Sequence, residues 1–368
     1  MLTPHRIDWY WAEKEVLSKL DDLDRLRDIS VDLGELKGAG VEISGLLPLL
    51  SAFNYIGAVR SKRVALNIID DNHSPEHNKY YKFPLQRLGF GDCLQNKVNI
   101  NSFLKRELSY DNPTLLDRTK FKISQVEQDD PEKEECKNRD LRIRGYEEFK
   151  DFIYYSAKSI IEANVDNDKK AVFYVLAFSL SELLENVAIH AWYRPALKKC
   201  NWFQGEPSNL NAYYTWRVMR QSRDVRKNFK RNDPQAKRNS FFSNHNGAFI
   251  ELCVADVGCG IRASLEANNN LESKIQFDSE AKSLQAAFSK NNDVVYGLHS
   301  IRKKVLSVGG YLEVRTGNSC IVYRPCEPSN ESSESNIQCH TIENMSLYPG
   351  TMVRILAPSN YLNGRYDS

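Results

Sequence analysis

The sequence predicts a mixed fold of helices and strands: an α/β (α+β) sandwich over the C-terminal part of the chain, with a smaller α/β unit before it. Three observations carry that expectation. The 368 residues are 41% hydrophobic and 27% charged, the balance of a globular chain, and they exceed what one ordinary core organises. Beyond residue 145, segments of helical period precede and separate segments of strand period. Before residue 100, short strand-like and helix-like runs alternate, which suits a small sheet with helices on it.

Taken in order, residues 8–26 read as an amphipathic helix and 29–33 as a short strand. Gly38 and Gly40 mark a turn. Ser44 is placed to cap a helix running to about Arg60, apolar enough to be a core helix, and interrupted by Pro48 and Asn54. Residues 63–69 (RVALNII) read as a buried strand, and 83–88 as a helix ending at Gly89. Helical period returns at 146–163 and 171–191. A strand at 249–254 runs into DVGCG, helices follow at 279–288 and 298–307, and strands at 310–316 and 352–356.

This gives an N-terminal domain at 1–124, a linker at 125–144 and a C-terminal domain at 145–368. The linker is read from 125–140, which carries seven Asp/Glu against three Lys/Arg and a proline, without hydrophobic periodicity. A second loop-like stretch spans 326–338. The net charge of +2 excludes a generally basic nucleic-acid binder. It leaves room for a local patch: between Arg217 and Arg238 there are nine Lys/Arg and two Asp/Glu, after Trp202, Phe203, Tyr213, Tyr214 and Trp216. Such a patch suits single-stranded nucleic acid or RNA, an oligomer contact or a solvated arm. Eight cysteines include no C-x-x-C pair, so each is expected to be a buried thiol. The opening residues carry charges where a secretory signal would be apolar, and a cytoplasmic protein without a membrane segment is expected.

Four short elements carry chemistry. In 181–191 (SELLENVAIHA), Glu182, Asn186 and His190 fall on one helical face among apolar neighbours. Asp256, Gly258 and Gly260 form D-x-G-x-G directly after a strand, where glycines admit close approach of a flat ligand and an Asx turn is the plain alternative. Gly297 opens a helix, whose free N–H groups suit a phosphate, and Gly309-Gly310 and a strand follow. Finally, Gly350-Thr351 enters the last strand.

In this order the elements resemble the GHKL superfamily of gyrase-type, chaperone, histidine-kinase and mismatch-repair ATPases over about 146–358. The resemblance implies a Bergerat-type ATP-binding fold with Mg²⁺. Glu182 is then similar to the general base, Asn186 to the Mg²⁺ ligand, and Asp256 to the acceptor for the adenine amine. Gly258 and Gly260 would line the base, Gly297 would contact phosphate, and Thr351 would lie near the adenine end. Two departures stand out. No glycine occurs in NNDVVY before Gly297, and 70 positions separate Asn186 from Asp256, which makes 193–246 look like a basic insert.

Residues 28–94 resemble STAS domains, the anti-sigma-factor antagonist fold, with Ser44-Gly45 in the neighbourhood of the family's phospho-acceptor. The functions implied are a Mg²⁺-dependent ATPase acting as a nucleotide-driven switch in a regulatory or defence system, with a lid over 269–295. The alternatives are an anti-sigma-type serine kinase and a non-hydrolysing, nucleotide-gated module that holds nucleic acid or protein. A protein partner or homodimer is expected in any of them.

Overall fold

The computed structural model describes residues 2, 6–20, 22, 28–32, 41–59, 64–69, 98–100, 123–125, 167–190, 212–220, 248–268, 276–289, 296–325 and 337–358. The helices expected at 83–88 and 146–163, nearly all of the linker and most of the basic stretch lie outside them.

The centre of the fold is a seven-stranded antiparallel sheet. Its strands are β4 (Ile123–Gln125), β5 (Ala212–Arg220), β6 (Ala248–Asp256), β7 (Tyr311–Gly317), β8 (Ser319–Pro325), β9 (Ile337–Ile342) and β10 (Tyr348–Pro358), in spatial order β4-β5-β6-β10-β7-β8-β9. The last strand therefore enters the middle of the sheet, between β6 and β7. A separate parallel sheet joins β1 (Asp28–Asp32), β2 (Val64–Ile69) and β3 (Val98–Ile100). Helix α2 (Ile43–Val59) connects β1 to β2, the crossover that a parallel pair needs.

The period of two divides the large sheet into two faces. On one face Leu252, Val254, Val314, Ile321, Val353 and Ile355 pack under α3 (Asn167–His190), α5 (Glu280–Ala287) and α6 (Tyr296–Ser307). The stripe Val172, Val175, Leu176, Leu180, Leu183 and Val187 of α3 points into this layer at helical spacing. Ser279 caps α5, its Oγ accepting from the Lys282 N–H at 3.2 Å. The middle of the expected lid is thus a capped helix, with Ala281, Leu284 and Ala287 in the core.

The opposite face of the large sheet is covered by the N-terminal residues. Cys253, Ala255, Met352 and Tyr348 share one core with Trp11, Val16, Leu17, Leu20 and the α2 residues Leu46, Leu47, Leu50 and Phe53. From Ile43 to Ile56, α2 is buried nearly all round, as its composition predicts. Residues 9–20 form an irregular helical segment rather than one regular helix. An α turn, α1 (Trp9–Trp11), passes into a π turn (Ala12–Val16), where the Leu17 N–H bonds to the Ala12 carbonyl, and then a 3₁₀ turn (Leu17–Lys19).

Several expectations are corrected. Ser44 is not the cap of α2: the helix starts at Ile43, and the Glu42 carbonyl accepts from Gly45 and Leu46. Ser44 lies in the first turn, 1% exposed, with its hydroxyl on Glu42 Oε2 at 3.2 Å. The stretch 193–246 is not wholly an insert, because residues 212–220 are β5, paired with β6 along their whole length. The aromatics Tyr213, Tyr214 and Trp216 are therefore ladder residues. Of the cysteines, Cys253 and Cys320 are buried as expected, but Cys339 is exposed and Cys259 half-buried.

Candidate functional site

The first group of site residues forms a row across three strands. Asp256 at the end of β6 stands opposite Thr351 of β10, and Thr351 stands opposite Thr316 of β7. Asp256 is buried, and its Oδ1 accepts from the Thr351 backbone N–H at 3.3 Å. It also accepts from the Gly258 N–H, the local Asx geometry that its position before a turn invites. Burial pushes its carboxyl up to about 7, against those two stabilising bonds. Each carboxyl oxygen has two lone pairs, so the ionised form can accept a further donor beside these two.

Glycine is required at two places in this row. Gly350 has φ 121°, and a Cβ there would collide with the backbone of Asp256 and Gly258. Gly260 has φ 77° and opens α4 (Gly260–Asn268); its Cβ would lie 2.8 Å from Thr316 Oγ1. The Thr316 hydroxyl ties these parts together. It donates to the Gly350 carbonyl at 3.0 Å and accepts from the Ile261 N–H, at the α4 N-terminus, at 3.1 Å.

The second group lies between α3 and α6. Glu182 and Asn186, one turn apart, are half-buried beside the apolar stripe of α3. Gly297, second residue of α6, sits against both: a Cβ there would lie 3.1 Å from Glu182 Oε2 and 3.1 Å from Asn186 Nδ2. The Asn186 Nδ2 is buried with no hydrogen-bond partner, which is costly unless something else occupies the site. The structure thus brings together Glu182, Asn186 and Gly297, and separately Asp256, Gly258, Gly260 and Thr351. Both groups lie on the helix-bearing face. Val187, next to Asn186, shares a core with Val254 and Val353, each two residues from a member of the row.

Two further residues, Thr316 and Gly350, hold this row together. Gly350 had a signal, since Gly-Thr before a strand marks a tight approach. Thr316 had none, because its role depends on the register of β7 against β10. Among the described residues no group of three or more His, Cys, Asp or Glu is placed to hold a metal ion. A cation beside Asn186 would therefore take most of its ligands from a phosphate and water, as Mg²⁺ commonly does. The orphaned Asn186 Nδ2 is a donor and fits a phosphate oxygen, while Oδ1 of the same amide is the atom that could ligate Mg²⁺, so the residues present fit Mg²⁺-nucleotide. No described helix is long and apolar enough to cross a membrane. Comparison of the chain with family models, curated proteins and solved structures gives no match.

Proposed function

We propose that the chain is a GHKL-type module with a Bergerat-type fold that binds ATP with Mg²⁺ and hydrolyses it as a conformational switch. The observation that carries this reading is the convergence at Gly297. A glycine leading α6 abuts the carboxylate of Glu182 and the unpartnered amide of Asn186, although more than a hundred residues separate them. The row of buried Asp256, half-buried Thr351 and buried Thr316 on the same face supports an adenine end.

In this reading Asp256 accepts from the adenine amine, and Gly258 and Gly260 let the ring lie close to the backbone. The N-terminus of α6 at Gly297 faces phosphate. Asn186 would hold Mg²⁺ through Oδ1 and donate from Nδ2 to phosphate, and the ion would supply neutralisation of phosphate charge. Glu182 takes the proton of a water whose oxygen attacks the γ-phosphorus; the bond to the β–γ bridging oxygen breaks and ADP leaves. The N-terminal βαβ unit is the STAS-like part. Buried Ser44 is no substrate for phosphorylation in this arrangement.

The test follows γ-labelled ATP with Mg²⁺, measuring binding, free phosphate and label on protein. Wild type should bind and release phosphate. Glu182→Gln should bind as wild type and lose release by roughly 10²-fold or more, the scale of a general base. Asn186→Ala should lose the Mg²⁺-dependent part of binding. No ATP binding by the wild type overturns the reading. Label on protein in place of free phosphate would select the anti-sigma-type kinase alternative, and binding without turnover the non-hydrolysing module.

A further inference from the structure

The connection between β9 and β10, residues 343–347, delivers the chain to Tyr348, Gly350 and Thr351. It is held from the opposite face of the sheet. Glu13, in the π turn of the N-terminal helical segment, accepts at Oε1 from the Ser346 N–H at 2.7 Å. The Ser346 hydroxyl donates to the Glu13 main-chain carbonyl at 3.3 Å. Arg315, 1% exposed, pairs with Glu13 at 2.5 Å and donates to the Ser346 carbonyl at 2.9 Å. Its guanidinium also lies 5.6 Å from the centre of the Tyr348 ring, whose hydroxyl meets Ser51 of α2 at 2.8 Å.

Burying a carboxylate and a guanidinium costs desolvation that their attraction roughly offsets, so such a pair adds little net stability over apolar residues of the same shape. What it does supply is fixed geometry. Here the fixed object is Ser346, five positions before Thr351. Arg315 itself is the residue before Thr316, which ties Gly350 to α4. The N-terminal segment thus reaches two of the three strands of the Asp256 row, β7 at Arg315 and β10 through the connection that leads into it.

We propose that Glu13 is a positioning residue of the nucleotide site, acting through Arg315 and Ser346 to set where β10 presents Gly350 and Thr351 to Asp256. This rests on the nucleotide reading given above. Its consequence is reciprocal: nucleotide at Asp256 and docking of residues 9–20 stabilise each other, as coupled equilibria must.

The experiment uses the full-length chain. ATP affinity is measured by calorimetry for wild type, Glu13→Gln and Glu13→Leu, each below its own melting transition. Glu13→Leu should weaken ATP binding roughly tenfold within the folded population. Glu13→Gln keeps an acceptor for Ser346 but loses the charge facing Arg315, and its affinity should fall between those of wild type and Glu13→Leu. A merely structural role would lower the melting temperature and leave the affinity of the folded protein unchanged, and that outcome overturns the proposal alone. No ATP binding by wild type overturns the nucleotide reading and this proposal with it. Should Glu13→Leu fail to fold, amide hydrogen exchange on wild type decides. ATP should slow exchange at 12–20 as well as at 346–351; protection at 346–351 without any at 12–20 overturns the proposal.

Discussion

Asp256 carries a proton balance that the fold itself sets. Its carboxyl is pushed up to about 7 from an ordinary value of 3.8. Because the folded value is raised, the folded state holds the proton more tightly than the unfolded chain. The associated stability is fully present below pH 4 and is lost as the pH rises through 7, a change of roughly 4 kcal/mol for this group. Asp256→Asn cannot titrate. The difference in melting temperature between wild type and Asp256→Asn should therefore shift steadily in favour of the variant from pH 4 to 7 and then level. Parallel curves across that range would mean that Asp256 is ionised throughout. The same substitution should weaken ATP binding about tenfold to a hundredfold, the worth of a hydrogen bond to a charged acceptor. At this scale the sequence marks Glu182, Asn186, Asp256 and Gly297, each in a spaced motif, and the proposed site is built on them. What could not be read was the partnership of Thr316 with Gly350, because neither residue carries its partner's position in its own neighbourhood.

Among the elements, α2 depends on one close approach. A Cβ at Gly45 would lie 2.5 Å from the Asp8 carbonyl oxygen and 2.6 Å from its carbon, so the first turn of the helix is pressed against the 7–8 backbone. Alanine at an open helical site would gain up to about 1 kcal/mol over glycine. Here the clash is with backbone, which gives little, and Gly45→Ala should instead destabilise by roughly 1–3 kcal/mol, read as a lower midpoint in urea. Helices and the longer strands were foreseeable where the apolar period was strong: α3, α5, α6, β6, β7 and β10 lie close to where the sequence put them. Strands β3 and β4 were not, at three residues each. Strand β8 is an apolar run without alternation, and β9 is an edge strand with no buried side chain, so neither advertises itself. The 9–20 segment has helical periodicity, but its π and 3₁₀ turns answer to contacts across the sheet, with Glu13 drawn to Arg315, that no local pattern encodes.

At the scale of the whole molecule, the linear division at 125–144 and the spatial arrangement of the core differ in kind. Described residues between Leu2 and Ile56 close one face of the large sheet, and a single apolar cluster runs from Leu46, Leu50 and Phe53 to Cys253, Ala255 and Met352. That face also buries charge: Arg354, 1% exposed, pairs with fully buried Glu251, and Glu313 accepts from the Tyr311 hydroxyl at 2.8 Å. Uncovering it would place apolar surface and ion pairs in water together, so the N-terminal layer and the sheet should unfold as one unit. Calorimetry of the full chain should give one transition with equal calorimetric and van't Hoff enthalpies. Phe53→Ala removes a fully buried ring from the shared cluster at a cost of about 3–5 kcal/mol. It should lower that single transition rather than split it. Two transitions, with only the lower one moved by Phe53→Ala, would show that the N-terminal layer folds by itself and rests on the sheet without sharing its stability.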